Sequence, residues 1–510
     1  MHKHQHSNRR WLTRVALATC AVGALSAALL SPASPVRRAP GTTRKPTPVA
    51  QGDKQPAQPK QVQIDLDRAI AVKLPTLAHD LRPVAFKTSD GKEGWALRIP
   101  GERPIATPAY AAGLVFVGGG YGSNEFYAFD ARTGALRWKM HTSDDGPTAA
   151  VAEGSYVAFN TESCTVIVVN AQTGKVVWQE WLGDPLMSQP AIANGRLYIA
   201  YPSGQRGHGG PTSHRLLCAD LRTGRHIWQQ DITADVISAP VVSGDKIYLT
   251  CFDGTSFALK ATDGAIVWRK ENQSTSAPII AGEQVIITQK AKEGADDYEG
   301  LKRVDARRGV ERDGKLLARE RADYLGANKG GNAAISPVQQ AALDASVGFA
   351  GAAPEASNIA AANTHVGVNT VAGGWAYQGS RAAYKDGRVV NAQGRYLNSI
   401  TAADGRFAWR AEVKGKGLAE QAQVFSPPAL GAANMYLASL LGHLIAVSQQ
   451  DGATRFVYAF NQPMAFQPAL AEGNIYAGTT NGLLICLKTG DRDADGWYAW
   501  GGNAQHNKSE

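Results

Sequence analysis

Ala128-Phe129-Asp130-Ala131-Arg132-Thr133-Gly134-Ala135-Leu136-Arg137-Trp138 closes a run of short apolar segments, and its pattern returns along the chain. The pattern is a small residue, Asp, two residues, Thr-Gly, three residues and Trp. It recurs as Val168-Val169-Asn170-Ala171-Gln172-Thr173-Gly174 with Trp178 and as Ala219-Asp220-Leu221-Arg222-Thr223-Gly224 with Trp228. A fourth copy is Lys260-Ala261-Thr262-Asp263-Gly264 with Trp268. Weaker copies follow. Val304-Asp305-Ala306-Arg307-Arg308-Gly309 has no tryptophan four residues on, Ala402-Ala403-Asp404-Gly405 leads to Trp409, Gln450-Asp451-Gly452 leads to Phe456, and Lys488-Thr489-Gly490 is the last. The marker glycines 134, 174, 224, 264, 309, 405, 452 and 490 define eight units of roughly 40 residues.

Each unit shares a template. A Pro-containing strand (Thr107-Pro108, Gln189-Pro190, Ala239-Pro240, Ala277-Pro278, Pro427-Pro428, Gln467-Pro468) precedes a Gly turn. A β-rich run such as Lys246-Ile247-Tyr248-Leu249 follows, and a second turn such as Asp253-Gly254 leads to the strand that ends in the motif. This spacing predicts four short antiparallel strands per unit and an eight-bladed β-propeller. Asp and Thr-Gly are turn chemistry, because Gly accepts positive φ while Asp and Thr side chains satisfy backbone N–H groups. The aromatic positions Trp95, Trp138, Trp178, Trp228, Trp268, Trp409 and Phe456 read as structural plates packed on the neighbouring blade's turn, each indole N–H needing a partner. Trp95, in Gly94-Trp95-Ala96-Leu97, is expected on an outer strand that completes the eighth blade from the other chain end, removing the open sheet edges.

These repeats resemble the tryptophan-docking motifs of pyrroloquinoline-quinone-like β-propellers, over roughly residues 95–500. That superfamily includes quinoprotein alcohol dehydrogenases and the propeller lipoprotein of the outer-membrane barrel-assembly machine. The resemblance implies an eight-bladed disc, and for the enzymes a pyrroloquinoline quinone with calcium held by Glu, Asn and Asp beside an adjacent cysteine pair.

Length and charge set further bounds. Large all-β repeat folds run long as one domain, so 510 residues suit a single propeller. The formal charge of +9 sits at one end, since residues 1–60 carry ten basic side chains and one acid, Asp53. The remainder is near neutral, which argues against nucleic acid as a partner. Residues 1–33 read as an export signal: a basic start ending at Arg14, an apolar run Val15 to Leu30, and a cleavage site near Ser31-Pro32-Ala33. Arg9-Arg10 resembles a twin-arginine signal. Residues 34–62 read as a disordered Pro-rich, basic linker, with the propeller spanning 63–510. No transmembrane domain is expected after signal removal, and the product is expected in the periplasm or secreted, as a monomer.

Three irregular stretches fall on the face that carries the inter-blade connections: Pro202–Ser213, the charged Lys290–Lys302, and an insertion from about 316 to 363 with a short helix near Pro337–Ala345. The same face carries a candidate polar mouth over the central channel, made of Glu162, Ser163, Cys164, Ser188, Gln189, Ser238 and Ser276. Such a mouth suits a small ligand, although Ser before Ala-Pro also serves strand-end backbone groups. No two cysteines are adjacent, no CxxCH occurs, and no nucleotide or nucleophile-elbow motif is present. Cys164, Cys218, Cys251 and Cys486 are expected mostly as buried small apolar residues, with neither disulfides nor free thiols settled by spacing. No catalytic residue and no protein-held metal are assigned. The leading expectation is a non-catalytic exported propeller that binds an envelope protein partner or organises an assembly. The alternative is a quinone-dependent oxidoreductase or a degenerate quinone-binding relative.

Overall fold

Third strands such as Thr165–Asn170, sequence TVIVVN, are buried on both faces because each sheet is sandwiched between two others. Their continuous apolar run is the signature of that environment. In the computed structural model the described residues are 59–120, 122–161, 164–183, 188–202, 214–251, 253–294, 296–321, 382–418, 424–492 and 494–495. They form eight antiparallel-based sheets of four or five strands. The first blade comprises Ala109–Ala111, Leu114–Gly118, Glu125–Asp130 and Leu136–His141, innermost to outermost. The eighth combines Ala469–Ala471, Asn474–Gly478 and Leu483–Lys488 with Glu93–Arg98, where Trp95 faces Cys486 in the register. Innermost strands of the eighth and first blades lie against each other, so the ring is closed. Inter-blade layers are apolar; between the first two blades Phe126 stacks on Phe159 with centroids 3.9 Å apart.

The indoles pin successive blades. Trp95 Nε1 donates to the Ala131 carbonyl at 3.2 Å, Trp138 to Ala171 at 2.8 Å and Trp178 to Leu221 at 2.8 Å. Trp228 donates to Ala261 at 3.1 Å, Trp268 to Ala306 at 3.0 Å and Trp409 to Gln449 at 3.0 Å. Each ring also lies flat against the next turn's glycine. A Cβ on Gly264, at φ +76°, would stand 2.5 Å from Trp228 Cε3.

Two joints differ. Beyond Gly309 the chain makes a detour before its outer strand, Leu317–Arg321. The expected insertion therefore starts later than 316, because Leu317 occupies the plate position: its side chain meets Gly405 of the sixth blade. Leucine has no N–H, and Arg303 Nη1 donates instead to Ala402 and Ala403 oxygens at 2.9 and 2.6 Å. Asp313, on the detour, holds that guanidinium at Nε and Nη2. At the other joint the turn itself differs. Gly490 directly follows Thr489, whereas the docking glycines stand three residues beyond Ala131, Ala171, Leu221, Ala261, Ala306 and Gln449, and a Cβ on Gly490 would meet nothing within 4 Å. Phe456 turns onto Tyr458 and Tyr436, with centroids 4.6 and 6.2 Å away.

The amino-terminal segment wraps three blades. Lys60–Asp65 adds in parallel to Phe407–Lys414 of the sixth, Ile70–Ala71 in parallel to Thr454–Ala459 of the seventh, and Val84–Lys87 antiparallel to Glu93–Arg98. Strand structure thus starts at Lys60 rather than 63, since Val62 and Ile64 find apolar partners on the sixth blade. The charged stretch Lys290–Lys302 is no irregular loop; it belongs to a long hairpin, Gln284–Glu293 with Asp296–Asp305. The signal, most of the linker, residues 203–213 and the expected helix near 337–345 lie outside the described residues.

Candidate functional site at the channel mouth

Turns between second and third strands meet the inter-blade connections at one face, as the Leu182 N–H bond to the Cys164 carbonyl illustrates. Glu162 and Ser163 lie outside the described residues. Cys164 takes φ +57° in the turn and is fully buried in the apolar core. Burial first, then the carboxylates of Asp235, Asp144 and Glu180, push its thiol well above its ordinary range. It is a core residue and presents no sulfur to the channel.

Ser188, Gln189 and Ser238 are brought together. Asn160 Nδ2 donates to the Ser188 carbonyl at 3.0 Å, and Gln189 N–H donates to the Ser238 carbonyl at 2.6 Å. Three blades are thereby laced at their inner ends. Among the described residues the Ser188 hydroxyl and both Gln189 amide atoms have no hydrogen-bond partner, although Ser188 and Gln189 are completely buried. Buried polar atoms left unpaired are costly, so this corner is ready for a hydrogen-bonding guest or ordered water. Ser238 stands at φ +68°.

Ser276 belongs to a separate web. Its hydroxyl is 2.5 Å from that of Thr288, and Thr275 is 3.0 Å from Thr288. Thr275 donates to buried Glu299, whose other oxygen accepts from Gln393 Nε2 at 3.2 Å. The sequence reading missed Thr148, Asn160, Glu299 and Gln393. Asn160 closes a second strand where blade 4 has Thr250, and that polar strand end was the available signal. Glu299 and Gln393 meet across blades from distant positions, and no local pattern announces such a pair.

The resemblance implies a quinone and calcium, and the donors can be tested against them. The four described cysteines are free, buried and on four different blades. Among the described residues no three His, Cys, Asp or Glu side chains converge to hold an ion.

Eight blades, pinned at six joints by docked indoles and closed by strands from both ends of the described chain, define a tryptophan-docked β-propeller. The family model described as outer membrane protein assembly factor BamB matches residues 80–185, 122–209, 165–338 and 359–495, well over half of the chain. The chain belongs to that pyrroloquinoline-quinone-like propeller-repeat family. Quinoprotein alcohol dehydrogenase PedH of Pseudomonas putida is 29% identical over 145 residues, covering 25% of this chain and 22% of that enzyme. Among solved structures, BamB from Moraxella catarrhalis is 13% identical over 79% of this chain and 98% of its own, with a TM-score of 0.50. Saccharomyces cerevisiae Sqt1 is 10% identical over 77% and 97%, with a TM-score of 0.51. At such identities the structures speak to the fold alone. No described helix is long and apolar enough to cross a membrane.

Proposed function

We propose that this protein is an exported, non-catalytic propeller that binds an envelope protein partner and acts as an assembly scaffold. The observation that carries the reading is the family match. A model described as an outer-membrane assembly factor runs through the repeats from residue 80 to 495, whereas the stretch shared with the dehydrogenase covers about a fifth of that enzyme. The mouth chemistry supports it: Cys164 is sealed, and the remaining cysteines lie on separate blades. A ring of sheets cross-pinned at every joint is rigid, so partner contacts on its rim lose little ordering entropy.

The alternative, a quinone-binding propeller, is favoured by one feature, the unpaired amide of Gln189 beside Ser188. Titration with pyrroloquinoline quinone and calcium, followed by tryptophan fluorescence and dye-linked alcohol oxidation, separates the two. The scaffold reading expects neither saturation nor turnover, together with a specific envelope protein retained on the immobilised propeller. Saturable binding with turnover overturns it.

A further inference from the structure

Between the fifth and sixth blades the packed layer turns polar where other joints stay apolar. Asn391 and Asn398 face each other across the second and third strands of the sixth blade. The same register place holds Leu249 with Phe257 in the fourth blade and Leu437 with Ile445 in the seventh, all buried. Asn398 stands four residues before Ala402 of its docking turn, as Phe257 does before Ala261 and Ile445 before Gln449. Across the layer the fifth blade adds two carboxylates. Glu299 stands seven residues before Ala306, where the fourth and seventh blades have the turn glycines Gly254 and Gly442. It lies directly opposite Glu320 on the neighbouring outer strand.

Hydrogen bonds fix which atoms are left over. A carboxylate only accepts, so Gln393 turns its nitrogen to Glu299 at 3.2 Å and its oxygen to Asn391 Nδ2 at 3.4 Å. Asn398 Nδ2 donates to Glu320 Oε1 at 2.9 Å. Turning either asparagine amide over would set oxygen against oxygen. Among the described residues Asn391 Oδ1 and Asn398 Oδ1 have no hydrogen-bond partner, although the two residues are 1% and 0% exposed. Both amides project into the layer that holds Glu299 and Glu320, as their nitrogens' partners show. Glu299 is completely buried too. Arg410 Nη2 donates to the other Glu320 oxygen at 2.8 Å, with its guanidinium stacked 3.9 Å over the Tyr396 ring. Burial nevertheless raises the Glu320 carboxyl above its ordinary range, against the pull of Arg410 and Asn398.

Buried acceptors left unmet call for a guest that brings positive charge or a proton. Amide and carboxylate oxygens, with no sulfur or imidazole among them, are the donor set of a hard cation. Calcium takes such oxygens in flexible arrangements, whereas magnesium asks for a small regular octahedron. We propose that the layer between the fifth and sixth blades binds a calcium-class cation through the carboxylates of Glu299 and Glu320 and the side-chain oxygens of Asn391 and Asn398. The ion ties the joint whose plate is Leu317. It sits between blades rather than over the channel, so the site holds whichever reading of the mouth is right.

The test uses the full chain, stripped with a chelator and titrated with calcium chloride alone, followed by calorimetry and thermal unfolding. A single calcium is expected to bind saturably and raise the melting temperature, while magnesium at the same concentration does neither. Glu299→Gln keeps the side chain's shape, removes its charge and should weaken calcium by at least about tenfold. Asn391→Leu should weaken it similarly, yet melt in chelator no lower than the unsubstituted chain, because leucine fills that place in the fourth and seventh blades. Absence of saturable calcium binding means that ordered water meets the two oxygens, and overturns the proposal. Calcium binding retained at full strength by both variants, or an equal response to magnesium, overturns it as well.

Discussion

Lys92 Nζ lies 5.9 Å over the ring of Phe456 and donates to the Thr489 carbonyl at 2.5 Å. Thr489 holds the place that Ala131, Ala171, Leu221, Ala261, Ala306 and Gln449 hold in other turns, where an indole N–H is the donor. Phenylalanine cannot donate, so an ammonium from the hairpin ahead of Glu93–Arg98 supplies the missing proton. Arg303 does the same for Leu317 between the fifth and sixth blades. The ring thus conserves a hydrogen bond at each joint rather than a residue type.

Lys92→Met should remove the Thr489 donor and leave that half-buried carbonyl unsatisfied. A loss of about 2 kcal/mol is expected from the usual penalty for such a group. Phe456→Trp in the Lys92→Met background should recover much of it, since an indole restores the donor. Thermal unfolding of the four proteins of this cycle checks the coupling. Additive effects would show that Lys92 and the residue at 456 act independently.

Much of this architecture was legible because its signal repeats. Thr-Gly followed by Trp marks turn, strand and plate at once, and Trp95 stood out as a plate without its own motif. Leu317 was hidden because the detour after Gly309 breaks the spacing and an aliphatic side chain is unremarkable in a strand. Lys60–Asp65, KQVQID, reads as polar linker because only Val62 and Ile64 are apolar and the strand's partner lies hundreds of residues away. At the mouth, Ser188, Gln189 and Ser238 could be grouped from their shared place before each innermost strand. Glu299 and Gln393 could not, since their meeting depends on how two neighbouring blades pack.

Glycine at 264 and at 490 should respond differently to alanine. Both have positive φ, +76° and +74°, so both substitutions carry the left-handed strain of about 1 kcal/mol. Only at 264 does the new methyl run into a plate, at 2.5 Å from Trp228. Gly264→Ala should therefore lower the melting temperature clearly more than Gly490→Ala. Equal losses would mean that the indole yields freely.

Acid should loosen the docking turns first. A side-chain hydrogen bond from Thr401, then the Arg406 backbone N–H, lowers Asp404 from the ordinary 3.8 to about 2. Ser448, the Ala453 N–H and Lys60 lower Asp451 to about 2. A folded-state value below the unfolded one means that the carboxylate's contribution is fully present above pH 3.8 and is lost as pH falls toward 2. Melting temperature should fall over that window. Asp451→Asn should flatten part of the slope, and carboxyl NMR titration should place both midpoints near 2. Midpoints at 3.8 would remove the turns as the source of acid sensitivity.

The four propeller cysteines should be silent toward thiol reagents until the ring opens. Desolvation is the leading cause at each site, raising Cys218 to about 11 and Cys251 to about 12, with Cys164 and Cys486 also pushed up. The thiolate is the reactive form, so at pH 8 roughly one Cys218 in a thousand would be competent even if reached. These four should label only in denaturant, at a rate set by opening. Mass spectrometry of partially labelled protein then reads where opening begins. Cys486 sits opposite Trp95 in the sheet shared by the two chain ends, and separating those strands needs no other blade to unfold. It should therefore label ahead of Cys218, whose blade is built from one continuous stretch of chain. Simultaneous labelling would mean that the shared blade is no weaker than the rest of the ring.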